Sequence, residues 1–83
     1  MTTTRTPQRL RGEDLWDVVK SHGERACDHG HHNTFVWFDD YESARACADD
    51  LKAGGVWVVG VYAGDPGSPY PRRRLPQITF REQ

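Results

Sequence analysis

The densest group of chemically reactive side chains in the sequence is CDHGHH, residues 27–32. Thiolates and imidazoles are good zinc ligands, and this segment offers four of them, Cys27, His29, His31 and His32. In an extended backbone the first three would point to the same side. Zinc fingers, however, separate two ligand pairs by about a dozen residues, and this chain has no second pair, although His22 is a further candidate. The segment therefore predicts either a zinc site or a polar loop of hydrated histidines.

A cysteine nucleophile is a second chemistry to consider, because Cys27 or Cys47 beside a histidine has the necessary residue types. No acid, base, oxyanion donor and cleft can be named together, so we expect no enzyme activity. Cys47 lies in an alanine-rich stretch and is expected to be a small core residue. Two cysteines are too few for a disulfide framework, and we expect both to be reduced in a cytoplasmic protein.

Three consecutive arginines, Arg72, Arg73 and Arg74, suggest contact with phosphates and make nucleic-acid binding an alternative function. The net charge of −1 gives no general argument for nucleic acid or for an anionic membrane. No apolar run is long enough to span a membrane, so we expect no membrane partner. Arginines outnumber lysines, as is typical of a GC-rich genome such as that of an actinobacterium or its phage.

Five elements are predicted around these residues. Helical spacing indicates a helix at 13–22, and β-branched and aromatic residues indicate a strand at 34–38. Asp39 is the predicted N-cap of an alanine-rich helix at 41–53, which ends at two glycines. Strands at 56–62 and 75–81 complete the set, and the residues between 24 and 33 are read as a loop.

The predicted fold is α+β: a small α/β sandwich of order α-β-α-β-β, with two helices on a three-stranded sheet, about half of a ferredoxin-like plait. Residues 1–12 are expected to be a flexible arm, and 13–83 a single small domain. The strand–helix–strand unit predicts two parallel strands joined by a right-handed crossover. The last strand would then run antiparallel beside either of them.

The predicted strands at 34–38 and 56–62 are apolar on both sides, which indicates that both faces of the sheet are covered. Helix 41–53 covers one face. The other must be covered by helix 13–22, by the proline-rich loop at 63–71, or by another chain. An uncovered tryptophan with two valines already makes a patch of several hundred Å², which on a monomer marks an interaction surface.

The stretch TFVWFDDYESARACADDLKAGGVWVV, within Thr34 to Val61, resembles one half of the ferredoxin-like regulators of the ribonuclease E regulator family. The shared pattern is an aromatic strand, an alanine-rich helix ending in Leu and Gly, and a valine-rich strand. The resemblance implies a small protein that acts by binding another protein and without catalysis.

The sequence thus predicts a non-catalytic protein-interaction module that binds through an aromatic sheet face or a strand edge. Its partner would be another protein, such as a host regulatory factor bound by a phage-encoded modulator, or a second copy in a homodimer. The candidate binding residues are Trp37, Trp57 and Tyr62, with Arg72, Arg73 and Arg74 as an electrostatic rim. A nucleic-acid-binding module and a zinc-binding domain are the alternatives.

Overall fold

The computed structural model describes residues 10–82. The predicted α+β class with two helices is confirmed, but the sheet has four strands and not three. The elements are α1 (Gly12–Ser21), β1 (Ala26–His29), β2 (Thr34–Trp37), α2 (Tyr41–Ala53), β3 (Trp57–Tyr62), a 3-10 turn (Pro71–Arg74) and β4 (Gln77–Arg81). Within this part of the chain, neither helix is long and apolar enough to cross a membrane. Residues 1–9 of the predicted arm and Gln83 lie outside the described residues.

The additional strand is β1, which occupies part of the predicted loop at 24–33. Its sequence, ACDH, lacks the apolar alternation that identifies a strand, and most of its residues are exposed in the structure. It forms because it pairs antiparallel with β2, and the Gly30 N–H donates to the Asn33 carbonyl at 2.8 Å to close the hairpin. The hydrogen bonding of β1 to β2 therefore outweighs the weak preference of its residues for a strand.

The strands lie in the order β1-β2-β4-β3, and every neighbouring pair is antiparallel. Because β2 and β3 are both antiparallel to β4, they run parallel to each other, as a strand–helix–strand unit requires. The last strand, β4, lies between them, whereas the sequence alone predicts it beside either one. β1 and β3 form the two edges of the sheet.

Both helices pack on the same face of the sheet. Their buried side chains meet those of β2 and β4 in one core that contains Leu15, Val19, Val36, Phe38, Ala44, Cys47, Ala48, Leu51, Val56, Ile78 and Phe80. His22 Nε2 lies 2.7 Å from Asp50 Oδ2 and joins the end of α1 to α2. α1 therefore does not cover the opposite face of the sheet.

α2 has the predicted types of capping residue at both ends, an aspartate and glycines, but its N-cap lies one residue later than predicted. Its N-cap is Asp40 and not Asp39: the Asp40 carboxylate accepts the Ser43 backbone N–H at 2.7 Å. This bond, and a weaker one from the Ser43 side chain, hold the pKa of Asp40 below its usual value. At the other end the chain turns away at Gly54 and Gly55, and Gly55 has φ +84°, which favours glycine.

A bulge in β3 changes which of its side chains share a face. Strict alternation along this strand predicts Tyr62 on the same side as Val58, and Val61 on the same side as Trp57. The register shifts between Val58 and Gly60, so that Val58 pairs with Phe80 and Val61 with Ile78 on the helix side. Trp57 and Tyr62 consequently lie together on the other side of the sheet.

Candidate binding face of the sheet

The face of the sheet that lies opposite the helices is here called the open face, and β2, β4 and β3 supply most of it, with Asp28 of β1 at one edge. Phe35 and Trp37 of β2 form one aromatic row, and Trp57 and Tyr62 of β3 form another. Between the rows, β4 contributes Gln77 and Thr79, which pair with both neighbouring strands, and Arg81, which pairs with Trp57 of β3. The open face is thus a central polar strand flanked by aromatic side chains.

The two aromatic rows differ in exposure. Trp37 is only 8% exposed, whereas Trp57 is 59% and Tyr62 is 51% exposed. Tyr62 lies along its own strand over Gly60, where a Cβ would come within 2.7 Å of the tyrosine Oη. Glycine at this position therefore lets the ring lie close to the sheet. A large aromatic surface remains uncovered on the β3 side.

Three arginines on this side of the molecule stack on aromatic rings. The guanidinium carbon lies 4.6 Å from the ring centroid in the pair Arg81–Trp57, 5.1 Å in Arg72–Trp37 and 5.0 Å in Arg73–Tyr70. These distances are within the range of cation–π attraction, about 6 Å. The pairs place positive charge directly above the aromatic surface.

The segment 63–75 folds back over one end of the open face and is held by its own hydrogen bonds. The Asp65 N–H donates to the Arg73 carbonyl at 2.7 Å, and Arg74 Nε donates to the Ser68 carbonyl at 2.7 Å. Gly64 has φ +87°, and a Cβ there would lie 2.6 Å from the Arg74 carbonyl oxygen. Arg74 therefore stabilises the segment from within.

A groove of about 500 Å³ lies between this segment and the sheet. Its lining combines aromatic, basic and acidic side chains: Asp28, Trp37, Tyr62, Gly64, Tyr70, Arg72, Arg73, Leu75 and Gln77. Its volume is within the range of roughly 300–1,000 Å³ that is typical of ligand sites. Arg72 Nη1 lies 3.9 Å from Asp28 Oδ2, so this arginine reaches from the segment across Trp37 to the edge strand β1.

The structure brings most of the predicted binding residues to one side of the molecule. Trp57 and Tyr62 are exposed on the open face, and Arg72 and Arg73 line the groove. Trp37 lies beneath Arg72 and is buried. The other groove residues were not predicted: Asp28 because the composition of β1 is that of a loop, and Gly64, Tyr70, Leu75 and Gln77 because the sequence does not show how the 63–75 segment folds back.

The four predicted zinc ligands are divided between β1 and the turn after it. Cys27 and His29 lie in the strand, and His31 and His32 lie in the turn with ring centroids 4.7 Å apart. Within residues 10–82, no group of three or more His, Cys, Asp or Glu side chains is placed to hold a metal ion. Zinc binding by these residues stays a prediction.

His29 belongs instead to a network around Glu82 on the helix side of the sheet. The Glu82 carboxylate accepts from Trp16 Nε1 at 3.0 Å and from Thr34 Oγ1 at 2.7 Å, and it lies 3.1 Å from His29 Nδ1. One carboxylate thus joins the end of β4 to α1, β1 and β2. No local pattern in the sequence indicates this network, because its members are distant along the chain.

Comparison of the chain with protein-family models, with characterised proteins and with solved structures yielded no match.

Proposed function

We propose that this protein is a non-catalytic interaction module that binds a partner protein through the open face. The observation that supports the proposal is the exposure of Trp57 and Tyr62 on the open face, at one end of which Arg72 and Arg73 line a groove. Tryptophan, tyrosine and arginine are the residues most enriched among interface hot spots. An aromatic side chain buries about 150–250 Å² when covered, so docking on this surface would remove substantial apolar area from water.

A pull-down with substituted baits tests the proposal. The bait Trp57→Ser/Tyr62→Ser removes the exposed aromatic side chains of the open face. The matched control Tyr41→Ser/Arg45→Ser removes an exposed tyrosine and an exposed arginine from α2, on the other side of the sheet. We expect a partner from the source cells to bind the unsubstituted protein and the control, and to be lost from the open-face variant. Equal retention by all three baits would contradict the proposal.

In this proposal a different protein binds the open face. A homodimer formed through the same face is the second form of the proposed interaction. A homodimer would hide the tryptophan of each copy and would depend on protein concentration. Sedimentation over a hundredfold concentration range distinguishes the two forms.

A partner could also bind by adding a strand to an edge of the sheet. Edge β1 is better suited to this than β3, because the bulge in β3 interrupts regular pairing at the opposite edge.

Binding of single-stranded nucleic acid is the second candidate function. Tyr62 favours it, because its ring lies along the strand and half of its surface is free to stack on a base. Three of the other aromatic rings already carry arginines, which leaves few surfaces for successive bases. Retention on oligothymidine that falls with salt and disappears in Arg72→Ser/Arg73→Ser, which keeps the structural Arg74, would favour this function over protein binding.

The zinc-binding alternative rests on residue types alone. Metal analysis of the purified protein and thermal unfolding with and without a chelator address it. A stoichiometric metal and a lower melting temperature in chelator would support it.

For the fold, we propose a circularly permuted ferredoxin-like plait, in which β4 takes the place of the strand that precedes α1 in that plait. Counted from β4, the element order becomes β4-α1-β1-β2-α2-β3, which is the βαββαβ order of that plait. The contact between Glu82 and Trp16 supports this, because it places the end of β4 beside α1. A chain joined from residue 83 to residue 1 and reopened between Pro66 and Gly67 should therefore fold cooperatively. A permuted chain without a cooperative transition would contradict the proposed relationship.

A further inference from the structure

We propose that the groove beside the 63–75 segment binds an acidic, extended segment of the partner protein, and that Arg72 exchanges Asp28 for a carboxylate of that segment. This inference rests on the proposed function and specifies the chemistry of the partner. It joins three observations: the basic lining of the groove, the loose contact between Arg72 and Asp28, and the buried ring of Trp37 beneath Arg72.

The charges favour an acidic ligand at this side of the molecule. Arg72 and Arg73 line the groove, and Asp28 is the only acidic side chain among its described lining residues. Arg81 adds a further positive charge on the same face, above Trp57. The helices on the opposite side carry six acidic side chains and only three basic ones, Lys20, Arg45 and Lys52. An acidic segment is therefore attracted to the groove and repelled from the helices.

The contact between Arg72 and Asp28 is suited to exchange. Its nitrogen–oxygen distance is 3.9 Å, and both side chains are more than half exposed. Exposed ion pairs of this kind change an equilibrium constant by a factor of about five at most. A partner carboxylate therefore meets little resistance when it replaces Asp28.

Movement of Arg72 toward the partner also uncovers apolar surface. The guanidinium lies over the Trp37 ring, which is nearly buried at the floor of the groove. An apolar side chain that follows the carboxylate could occupy this space between Trp37 and Tyr62, both of which line the groove. Alternating acidic and apolar residues in the partner would satisfy both contacts.

A peptide of that pattern provides the probe. We would measure the fluorescence anisotropy of a labelled nine-residue peptide of alternating Glu and Val with a central Phe. The control peptide carries Lys in place of each Glu, and labelled twelve-residue oligothymidine represents nucleic acid. We expect the acidic peptide alone to bind measurably at low salt, and its affinity to fall as salt screens the charges.

Two substitutions separate the electrostatic contact from loss of structure. Arg72→Glu should weaken binding of the acidic peptide by tenfold or more, since it reverses a charge in the groove. Asp28→Asn should instead tighten binding by about two- to fivefold at low salt, because it removes the competing carboxylate. A gain of affinity cannot come from unfolding. Arg45→Glu and Asp49→Asn, exposed on α2, are the matched controls and should change affinity by less than twofold.

Three other outcomes would each contradict a different part of the proposal. Equal binding of the Glu and Lys peptides, or no binding of either, overturns the acidic-segment inference but leaves the proposed function to the bait experiment. Weaker binding by Asp28→Asn overturns the exchange at Arg72. Tighter binding of oligothymidine than of the acidic peptide, with the same dependence on Arg72, overturns both the inference and the proposed protein partner.

Discussion

Cys27 is exposed on β1, whereas Cys47 is buried between α2 and the sheet. Burial, reinforced by the nearby charges of Asp50 and Glu24, raises the pKa of the Cys47 thiol to about 12. Only a thiolate is an effective nucleophile, so Cys47 is protected both by its burial and by its protonation state. The two cysteines therefore differ in chemistry although both are free.

Alkylation of the native protein should modify one thiol per chain. We expect iodoacetamide at pH 8 to label Cys27 completely while Cys47 reacts only after unfolding in denaturant. Peptide mapping by mass spectrometry assigns the label. Rapid labelling of Cys47 in the native protein would show that its burial is incomplete.

The raised pKa of Cys47 also predicts a loss of stability at alkaline pH. The unfolded chain loses the thiol proton near its ordinary pKa of 9.0, whereas the folded chain keeps it up to about pH 12. The free energy of unfolding should consequently fall as the pH rises above about 9. Urea titrations at pH 7.5 and pH 10 measure this fall, which should be smaller in Cys47→Ala and unchanged in Cys27→Ser. Identical falls in all three proteins would contradict the prediction.

At the scale of elements, the Glu82 carboxylate holds the end of β4 against α1 and β2. Glu82→Ala would leave the Trp16 N–H and the buried Thr34 hydroxyl without their acceptor. We expect a loss of about 1–3 kcal/mol in the free energy of unfolding, and a smaller loss for Glu82→Gln, which keeps one carbonyl acceptor. Urea unfolding followed by tryptophan fluorescence measures both.

The matched control for this network is Asp49→Ala, an exposed position on α2. Its effect should stay within about 0.5 kcal/mol, as is usual for surface substitutions. If Glu82→Ala were no more destabilising than Asp49→Ala, the network would have no role in joining the elements.

Gly64 tests how the 63–75 segment is fixed over the open face. Gly64→Ala combines a positive φ with a Cβ 2.6 Å from a backbone oxygen, so the segment must shift. We expect a loss of about 1–3 kcal/mol, the usual cost of such strain, and greater exposure of Trp37. Acrylamide quenching reports the exposure. Gly67→Ala is the control, because its Cβ would meet only Asp65 Oδ1, at 3.5 Å.

The elements that could be predicted from the sequence are those with a strong local signal. The bounds of α2 at 41–53 are confirmed, because an alanine-rich apolar stripe between a polar cap and two glycines identifies a helix by itself. β1 could not be found in this way, since its pairing with β2 and not its composition forms it. The bulge at Val59 likewise depends on the register with β4, and it reversed the predicted faces of Tyr62 and Val61.

The candidate site was predictable in its residue types but not in its arrangement. Trp57 and Tyr62 were candidates because both faces of their strand are rich in apolar residues, and they are exposed together. The groove depends on Arg72 reaching across Trp37 to Asp28, a contact between parts of the chain 44 residues apart. No local pattern in a sequence contains such a contact.

For the whole molecule, the small net charge of −1 conceals an uneven distribution. The acidic side chains of α1 and α2 lie on one side of the sheet, and Arg72, Arg73 and Arg81 lie on the other. At low ionic strength the protein should therefore be retained by cation-exchange resin as well as by anion-exchange resin near pH 7. We expect Arg72→Ser/Arg73→Ser to elute from the cation exchanger at a lower salt concentration than Arg45→Ser, because only the first variant removes positive charge from the open face. Elution of both variants at the same salt concentration would contradict this charge distribution.

The same separation of charge determines how the protein would settle on a solid support. A negatively charged sensor chip would hold it by the arginines and conceal the groove, so that a binding assay on such a chip could report no partner at all. Capture on a positively charged or affinity-coated support would leave that side turned toward the solution.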